Sequence, residues 1–351
     1  MCQEQAIFKH DVPMTKEQFD LKLFKELCDA HCHPHDDIDN LAMIPKLQTG
    51  HITIMGVRQD DWERVSQTTK ECNKEMDNKC IPCFVCLFVK GIHPWFSHFV
   101  STPEKSGLTS KEYYASILQS SDSKQLEEMI QALPEPSSYD TWYHRLRQRL
   151  EQHPEALVGE VGVDRSARLL PGGAIDWHGK KPTQVQTSIE HQLAILDIQC
   201  QLARELNRGV SLHCVQGQGH LFDHLKKQST QFSGRKLRQL KEKPNMLRVC
   251  LHSFGGSPAT VTQFIELKGF EIYVSFSVAI NAQHLPPHKM QALICSVPED
   301  RLLIESDLNT PKGIDVCMID IVKIVAEARN LTIAQVIEIT NRNWKRFVNL
   351  Q

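Results

Sequence analysis

The chain contains 351 residues, of which 41% are hydrophobic and 23% charged, and its formal net charge is −2. This balance predicts a globular protein with ample material for a core and argues against a strongly basic nucleic-acid-binding surface. No apolar run reaches about eighteen residues, and the opening MCQEQAIFKHDV lacks the pattern of a signal peptide. We therefore expect a soluble protein of the cytoplasm, the nucleus or both, with no membrane partner.

Eight short apolar runs follow one another along the chain, separated by longer stretches with helical character. These predicted strands cover 26–31, 51–57, 81–89, 156–164, 209–215, 246–254, 270–277 and 301–308. Continuous apolar runs suit strands that are covered on both faces, as in a parallel sheet. Strands alternating with helices over the whole length predict a single domain, residues 1–351, with the fold of a (β/α)8 TIM-type barrel. An open doubly wound sheet is the alternative, but no GxGxxG loop follows the first run.

The connection between the third and fourth strands is far longer than one helix requires. Its last part, YDTWYHRLRQRLEQHP, predicts the crossover helix, with Trp142, Leu146 and Leu150 on one face. Segment 101–137, rich in Ser, Lys, Glu and Gln, is predicted to be a partly helical surface insertion at the carboxyl-terminal face of the barrel. A mobile spacer without a role in chemistry is the alternative for this segment. Other helices are predicted over 60–77, 184–207, 257–268, 284–296 and 314–329.

Three cysteines lie close together on the third predicted strand, at Cys80, Cys83 and Cys86. A zinc knuckle would need a second cysteine pair and polar turn residues between the ligands. The residues between these cysteines are mostly apolar, so we expect a buried strand here. The 12 cysteines of the chain are scattered through apolar segments, which is typical of reduced cysteines.

Titratable side chains stand near the carboxyl ends of five predicted strands. They are His31 and His33, Glu160, His213, His252, and Glu305 with Asp307. The carboxyl ends of barrel strands meet at one mouth, where burying so many polar groups without partners would be costly. The four imidazoles, with the carboxylates of Glu160 and Asp307, suit two divalent ions such as Zn²⁺, with Mn²⁺ or Mg²⁺ as alternatives. Each histidine taken alone is also compatible with an ordinary hydrogen-bonded residue, so the prediction rests on the joint pattern.

The order of these motifs resembles the TatD-type metal-dependent deoxyribonucleases, a family of amidohydrolase-like barrels. The resemblance runs over nearly the whole chain, and its most specific parts are GEVGVD around Glu160 and HSFGGS from His252. It also includes the HxH of the first strand, the ESD that ends at Asp307, and a closing TxxN. The segment Gly91-Ile92-His93-Pro94 is similar to the GxHP loop of the family.

By this resemblance two metal ions would share Glu160 as a bridging ligand. The remaining ligands would be His31, His33 and Asp307 for one ion, and His213 and His252 for the other. A water activated by the metals would attack the phosphorus of DNA, and Asp307 would orient or deprotonate that water. His93, Asp164 and Glu305 are candidates for contacts with substrate or with the ligands, although His93 is also compatible with a plain loop histidine.

The substrate side departs from the pattern of the family. Where the family often has His-x-Arg-Asp on the fifth strand, this chain reads His213-Cys-Val-Gln, without the arginine that would bind phosphate. The aromatic residue common after GxxD is replaced by Arg165, and Leu308 replaces the usual proline after Asp307. The resemblance makes DNA the first substrate candidate. Because the arginine is missing, a small phosphoester, an amide or a lactone is the alternative.

A third hypothesis is a catalytically weak barrel that binds a protein partner through 101–137. The basic stretch 226–243 is compatible with a localisation signal or a nucleic-acid patch, or with an ordinary solvated surface.

Overall fold

The computed structural model describes residues 21–57, 62–75, 80–84, 92–175, 179–232, 238 and 245–350. The strands within these ranges are β1 (Cys28–Cys32), β2 (His51–Met55), β3 (Cys80–Phe84), β4 (Leu118–Gln119), β5 (Leu157–Asp164), β6 (Gln186–Thr187), β7 (Val210–Val215), β8 (Leu247–Leu251), β9 (Phe270–Phe276) and β10 (Leu302–Ile304). All except β4 and β6 form one eight-stranded sheet in chain order. Every neighbouring pair in it is parallel, and each strand overlaps one predicted run.

Hydrogen bonds join the first strand of the sheet to the segment that follows the last strand. The Asp307 N–H donates to the His31 carbonyl at 3.0 Å, and the His33 N–H donates to the Leu308 carbonyl at 2.8 Å. These bonds bring the carboxyl ends of β1 and β10 together, so the strand ends surround one mouth. The predicted (β/α)8 TIM-type architecture, with its insertion between the third and fourth strands of the barrel, is confirmed.

Helices cover the outside of the sheet between successive strands. In the described ranges they are α1 (Leu21–Glu26), α2 (Trp62–Glu75), α3 (Ser110–Ile117), α4 (Ser123–Ala132), α5 (Tyr139–Gln152), α6 (Ile189–Glu205), α7 (Gln218–Ser229), α8 (Pro258–Ile265), α9 (Pro287–Ser296), α10 (Ile314–Arg329) and α11 (Ile333–Val348). Short 3₁₀ segments occur at Pro34–Asp36, Ile38–Lys46, Pro94–Phe99, Pro103–Lys105, Pro171–Gly173, Thr230–Phe232 and Glu299–Arg301, with one π-helical turn at Val278–Ala282. No helix in the described part of the chain is long and apolar enough to cross a bilayer.

The crossover helix α5 illustrates how the sequence pattern produces the packing. Trp142, Leu146 and Leu150 recur every four residues and therefore form one stripe of the helix. All three are buried, as predicted, and burial of each apolar side chain contributes on the order of 2 kcal/mol. The helix begins at Ser138, whose hydroxyl accepts a hydrogen bond from the Thr141 N–H.

The cysteine-rich strand also follows its prediction. Cys80 is buried, and Cys83 is paired with Leu157 in the register of the parallel sheet. Cys86 lies outside the described residues. The nine cysteines whose side chains the structure describes are all free.

Segment 101–137 is a folded insertion built around two tyrosines. Tyr113 and Tyr114, on α3, are both fully buried. Tyr113 donates its hydroxyl hydrogen to the Val100 carbonyl, and Tyr114 donates to the Pro134 carbonyl at 2.7 Å. Short strand β4 pairs antiparallel with β6, which attaches the insertion to the segment that precedes α6. This packing agrees with the predicted partly helical insertion and argues against the mobile spacer.

Candidate metal centre

Glu160, on β5, lies at the centre of the polar cluster in the barrel mouth and is only 4% exposed. Its Oε1 lies 2.7 Å from His213 Nδ1 and 2.8 Å from His252 Nε2. A third nitrogen, His93 Nε2, lies 3.3 Å from the same oxygen. Three imidazoles that come from different parts of the chain thus direct a nitrogen at one carboxylate oxygen.

The other oxygen of Glu160 faces a separate pair of histidines. Its Oε2 lies 3.5 Å from His31 Nε2 and 3.6 Å from His33 Nε2, and these two nitrogens are 3.1 Å apart. Asp307 Oδ1 lies 3.8 Å from each of them. Nitrogen ligands about 2.0–2.1 Å from a tetrahedral Zn²⁺ lie roughly 3.3 Å apart, so this spacing suits donors that share one cation.

The donor atoms of the cluster fit divalent metal ions. The described residues contain three groups of donors that lie within 4.8 Å of one another, namely His31/His33/Asp307, His31/His252/Glu305 and His93/Glu160/His213. Two buried atoms here, His252 Nδ1 and Glu305 Oε2, have no hydrogen-bond partner. The His31 and His252 rings are stacked with centroids 3.9 Å apart, an arrangement that disfavours protonation of both rings. Neutral imidazoles and carboxylates are the donor set of borderline divalent ions.

A glycine on β5 allows this strand to approach β7 closely. Gly162 pairs with His213 in the register of the sheet. A Cβ atom at Gly162 would lie 1.9 Å from the His213 carbonyl oxygen, so any side chain here would push the two strands apart. The close approach explains why the segment reads GEVGVD, and it sets Glu160 beside His213.

The cluster carries charges that burial alone would oppose. Burial would raise the pKa of Glu160, but the charges of His252 and His93 and hydrogen bonds from His213 and His252 outweigh it and hold this pKa well below its usual value. Burial would lower the pKa of His252, but the charge of Glu160 outweighs it and raises this pKa. Glu160 is therefore an anion at neutral pH, and a metal ion that binds His252 Nε2 would displace the proton that Glu160 stabilises on this ring.

Asp307 and Glu305 reach the cluster by a route that differs from the sequence interpretation. We predicted that both lie on the last strand, residues 301–308, but β10 ends at Ile304. Asp307 has a φ of 53°, in the left-handed region that aspartate tolerates better than most residues. Ser253 joins the two carboxylates, since its hydroxyl lies 2.6 Å from Glu305 Oε1 and 3.0 Å from Asp307 Oδ2. The turn after β10 and the hydrogen bonds from Ser253 thus bring both carboxylates to the barrel mouth.

His93 lies inside the cluster, buried to 4% exposure. Its Nδ1 accepts a hydrogen bond from the Trp95 N–H at 3.3 Å. In the neutral tautomer the proton is then on Nε2, which donates to Glu160. Burial, the largest effect, lowers the pKa of His93 to about 4, so this ring is neutral at pH 7. The geometry favours a contact with Glu160 over a plain loop histidine.

Asp164 lies behind the cluster and contacts His213 from the opposite side to Glu160. Its Oδ2 lies 3.3 Å from His213 Nε2 and accepts a hydrogen bond from Trp95 Nε1 at 2.6 Å. Its Oδ1 accepts from the N–H and the hydroxyl of Ser166. A carboxylate that binds the far nitrogen of an imidazole fixes the orientation of the ring, as in many metal sites. Sequence reasoning missed Trp95, which follows the GIHP segment, and Ser253, which lies within HSFGGS, because neither position shows which distant side chain it contacts.

Comparison with known proteins places this chain in a family. A family model described as TatD related DNase matches residues 28–349. The Cut9-interacting protein scn1 of Schizosaccharomyces pombe is 33% identical over 93% of this chain and 99% of its own length. An uncharacterized deoxyribonuclease of Saccharomyces cerevisiae is 27% identical over 80% of this chain and 83% of its own length.

Solved structures share the fold at low sequence identity. A TatD homologue from Escherichia coli K12 superimposes with a TM-score of 0.57 at 19% identity, covering 93% of this chain and 100% of that one. A TatD-family hydrolase from Entamoeba histolytica gives a TM-score of 0.58 at 12% identity, with coverages of 93% and 98%. These likenesses concern the barrel alone. Because the family model spans nearly the whole chain, the protein belongs to the TatD-related deoxyribonuclease family and is a metal-dependent hydrolase that acts on ester bonds.

Proposed function

We propose that the protein cleaves the phosphodiester bonds of DNA at a dinuclear metal centre in the barrel mouth. The observation that carries this proposal is the division of the Glu160 carboxylate between two sets of nitrogens. One oxygen faces His213 and His252, and the other faces His31 and His33. A carboxylate arranged in this way can bridge two ions about 3.5–4 Å apart.

Each proposed metal site has its own ligands in addition to the bridging Glu160. We assign His31, His33 and Asp307 to one ion and His213 and His252 to the other. Histidine-rich donor sets favour Zn²⁺, with Mn²⁺ and Mg²⁺ as alternatives because of the carboxylates. Two such ions, when bound, supply Lewis acidity to a phosphoryl oxygen and lower the pKa of an attacking water.

Three side chains have proposed roles beyond holding the ions. Asp307 has its Oδ2 held by the Ser253 hydroxyl at 3.0 Å, which leaves Oδ1 facing His31 and His33, where it orients the attacking water and accepts its proton. Asp164 keeps the His213 ring in a fixed orientation through Nε2. His93 donates its one N–H, on Nε2, to Glu160 and so helps to hold the bridging carboxylate in place.

DNA as the substrate is supported by the description of the matching family model and by the relative named as a deoxyribonuclease. We further propose the cytoplasm, the nucleus or both as the location, where this substrate or its fragments would be met. The complete set of buried donors argues against the catalytically weak barrel. Conversion of a small phosphoester, amide or lactone without cleavage of DNA would contradict the proposal.

The direct test is cleavage of single- and double-stranded oligonucleotides by the purified protein in Zn²⁺, Mn²⁺ or Mg²⁺. Glu160→Gln and Asp307→Asn should each lower kcat/KM by about 10³-fold or more, since each removes a charge directed at the reacting centre. Glu266→Gln, an exposed glutamate at the end of α8, is the matched control and should behave as wild type. Unchanged cleavage in both active-site variants would rule out this assignment.

A protein partner for the insertion 101–137 is a second proposal, which rests on the name of the Cut9-interacting relative. Leu108, within the insertion, is 41% exposed and gives a variant that spares the buried tyrosines. Leu108→Asp should weaken capture of such a partner while leaving hydrolysis unchanged. Equal capture by wild type and by protein lacking the insertion would contradict this proposal.

A further inference from the structure

Trp95 presents an exposed aromatic ring at the edge of the proposed metal centre. The residue is 40% exposed, although its indole nitrogen donates to Asp164 Oδ2 at 2.6 Å. The same oxygen lies 3.3 Å from His213 Nε2. A single carboxylate oxygen therefore connects the exposed indole to a histidine that the proposed function assigns to a metal ion.

The Trp95 ring is held rigidly. The residue follows Pro94 in a 3₁₀ turn, and its N–H donates to His93 Nδ1. Its ring meets the His93 ring edge to face, with centroids 4.9 Å apart. One flank borders a crevice lined by Phe96, Phe99 and Arg168, whose free volume of about 20 Å³ holds little more than one water. An exposed aromatic ring that is already immobile loses little entropy when a ligand stacks on it.

Arg165 directly follows Asp164, the last residue of β5, and lies beside the end of β7. Its N–H donates to the Val215 carbonyl at 3.1 Å, and its guanidinium contacts the Gln216 carbonyl at 3.5 Å. Val215 is the position where the His-x-Arg-Asp pattern has its arginine. Within the described residues, the contacts of the Arg165 and Arg168 side chains are all with backbone carbonyls. These guanidinium groups are therefore available for an anion.

We propose that Trp95 and Arg165 form a substrate-binding rim, in which the Trp95 ring stacks on a nucleobase beside the scissile phosphate and Arg165 contacts a neighbouring phosphate. The proposal rests on the proposed cleavage of DNA and specifies its substrate. A base inside a duplex has no free face for an aromatic side chain, whereas an unpaired base does. The rim therefore selects single strands or frayed ends over closed duplexes. Arg165, which directly follows β5, supplies the cation that β7 lacks.

The stacking role is tested with two single-stranded oligonucleotides of equal length, one normal and one with abasic residues around the scissile bond. Trp95→Ala should raise KM for the normal oligonucleotide by about 5- to 150-fold more than for the abasic one. Trp95→Phe, which keeps a ring but lacks the indole N–H, should retain most of the affinity. Equal losses on both oligonucleotides would overturn the proposal, because they would mean that only the bond to Asp164 matters.

The phosphate role is tested by the salt dependence of binding, measured as fluorescence anisotropy in the Asp307→Asn background with metal present. Arg165→Ala should lower the slope of log Kd against log salt by roughly 0.7, the value for one contact with a single strand. Lys268→Ala is the matched control, since this exposed residue precedes β9 at the opposite end of the barrel. An unchanged slope in Arg165→Ala would refute the contact.

These experiments separate the rim from the proposed function. If the function fails, wild type cleaves neither oligonucleotide in any of the three metals. If the rim fails, wild type cleaves both, and Trp95→Ala changes KM for the two oligonucleotides equally or not at all.

Discussion

The barrel mouth and the insertion 101–137 both bury polar groups, but they satisfy them in different ways. In the insertion, the hydroxyls of Tyr113 and Tyr114 each donate to a backbone carbonyl, so the protein itself meets the requirement. In the mouth, Glu160 is surrounded by imidazoles, and two buried atoms, His252 Nδ1 and Glu305 Oε2, have no hydrogen-bond partner among the described residues, although His252 Nδ1 lies 3.6 Å from Glu305 Oε1. An incompletely satisfied polar cluster is costly in a protein interior. The comparison indicates that the insertion is built for stability and the mouth for a ligand.

The largest expected effect that separates the two regions is stabilisation by metal. An ion that binds only the folded state at a concentration 100-fold above its Kd adds about 2.7 kcal/mol, so two ions add roughly 5 kcal/mol to the free energy of unfolding. Denaturant unfolding with and without EDTA measures this gain. Glu160→Gln should lose most of it, because the bridging charge is removed. An equal gain in the free energy of unfolding on adding metal to Glu160→Gln would show that the mouth does not bind metal through this carboxylate.

Truncation of a buried side chain in the insertion should lower stability without lowering metal-dependent hydrolysis. Tyr114→Ala removes a fully buried ring and should lower the free energy of unfolding by about 3–5 kcal/mol, while metal-dependent hydrolysis below the unfolding transition stays within about twofold of wild type. Tyr114→Phe, which loses only the bond to Pro134, should cost about 1 kcal/mol. The exposed Leu108→Ala is the control and should lie within about 0.5 kcal/mol of wild type. A Tyr114→Ala protein of full stability would contradict the packing described here.

A smaller effect is expected from pH at the joint between the insertion and the barrel. His191 of α6 contacts the Ser97 carbonyl and the Tyr113 hydroxyl through Nε2, and burial, the largest effect, lowers its pKa from 6.5 to about 4. Because the folded protein disfavours the protonated ring, this contribution to stability is complete above pH 6.5 and is lost as the pH falls towards 4. At about 1.36 kcal/mol per pKa unit, the loss approaches roughly 3 kcal/mol.

Comparison of wild type with His191→Gln isolates this residue from other groups that titrate in acid. The difference in free energy of unfolding between the two proteins should shrink between pH 6.5 and 4. A difference that stays constant over this range would show that His191 does not titrate as described.

The sequence predicted the strands and most of the mouth because the relevant signals are local. Apolar runs predict parallel strands. A polar residue at the carboxyl end of such a run, such as His213 or His252, lies at the mouth if the strands form a barrel. The position of Asp307 was not predictable in this way. It depends on a left-handed turn after Ile304 and on a hydrogen bond from Ser253, which is distant in sequence.

The insertion was harder to predict for a compositional reason. Its serine-, lysine- and glutamate-rich sequence hides two buried tyrosines among solvated residues, and their partners, such as Val100 and Pro134, become apparent only in three dimensions. The same holds for Trp95, whose bond to Asp164 spans 69 positions. Residues that act through contacts distant in the sequence leave no periodic signal.

The most direct test of the dinuclear centre is anomalous diffraction from crystals of the full chain grown with Zn²⁺ or Mn²⁺, combined with the metal content of the same protein in solution. The proposed dinuclear centre requires two ions per chain, about 3.5–4 Å apart, one beside His31 and His33 and the other beside His213 and His252, with Glu160 between them. A single ion, an ion pair away from Glu160, or no metal at saturating concentration would contradict it.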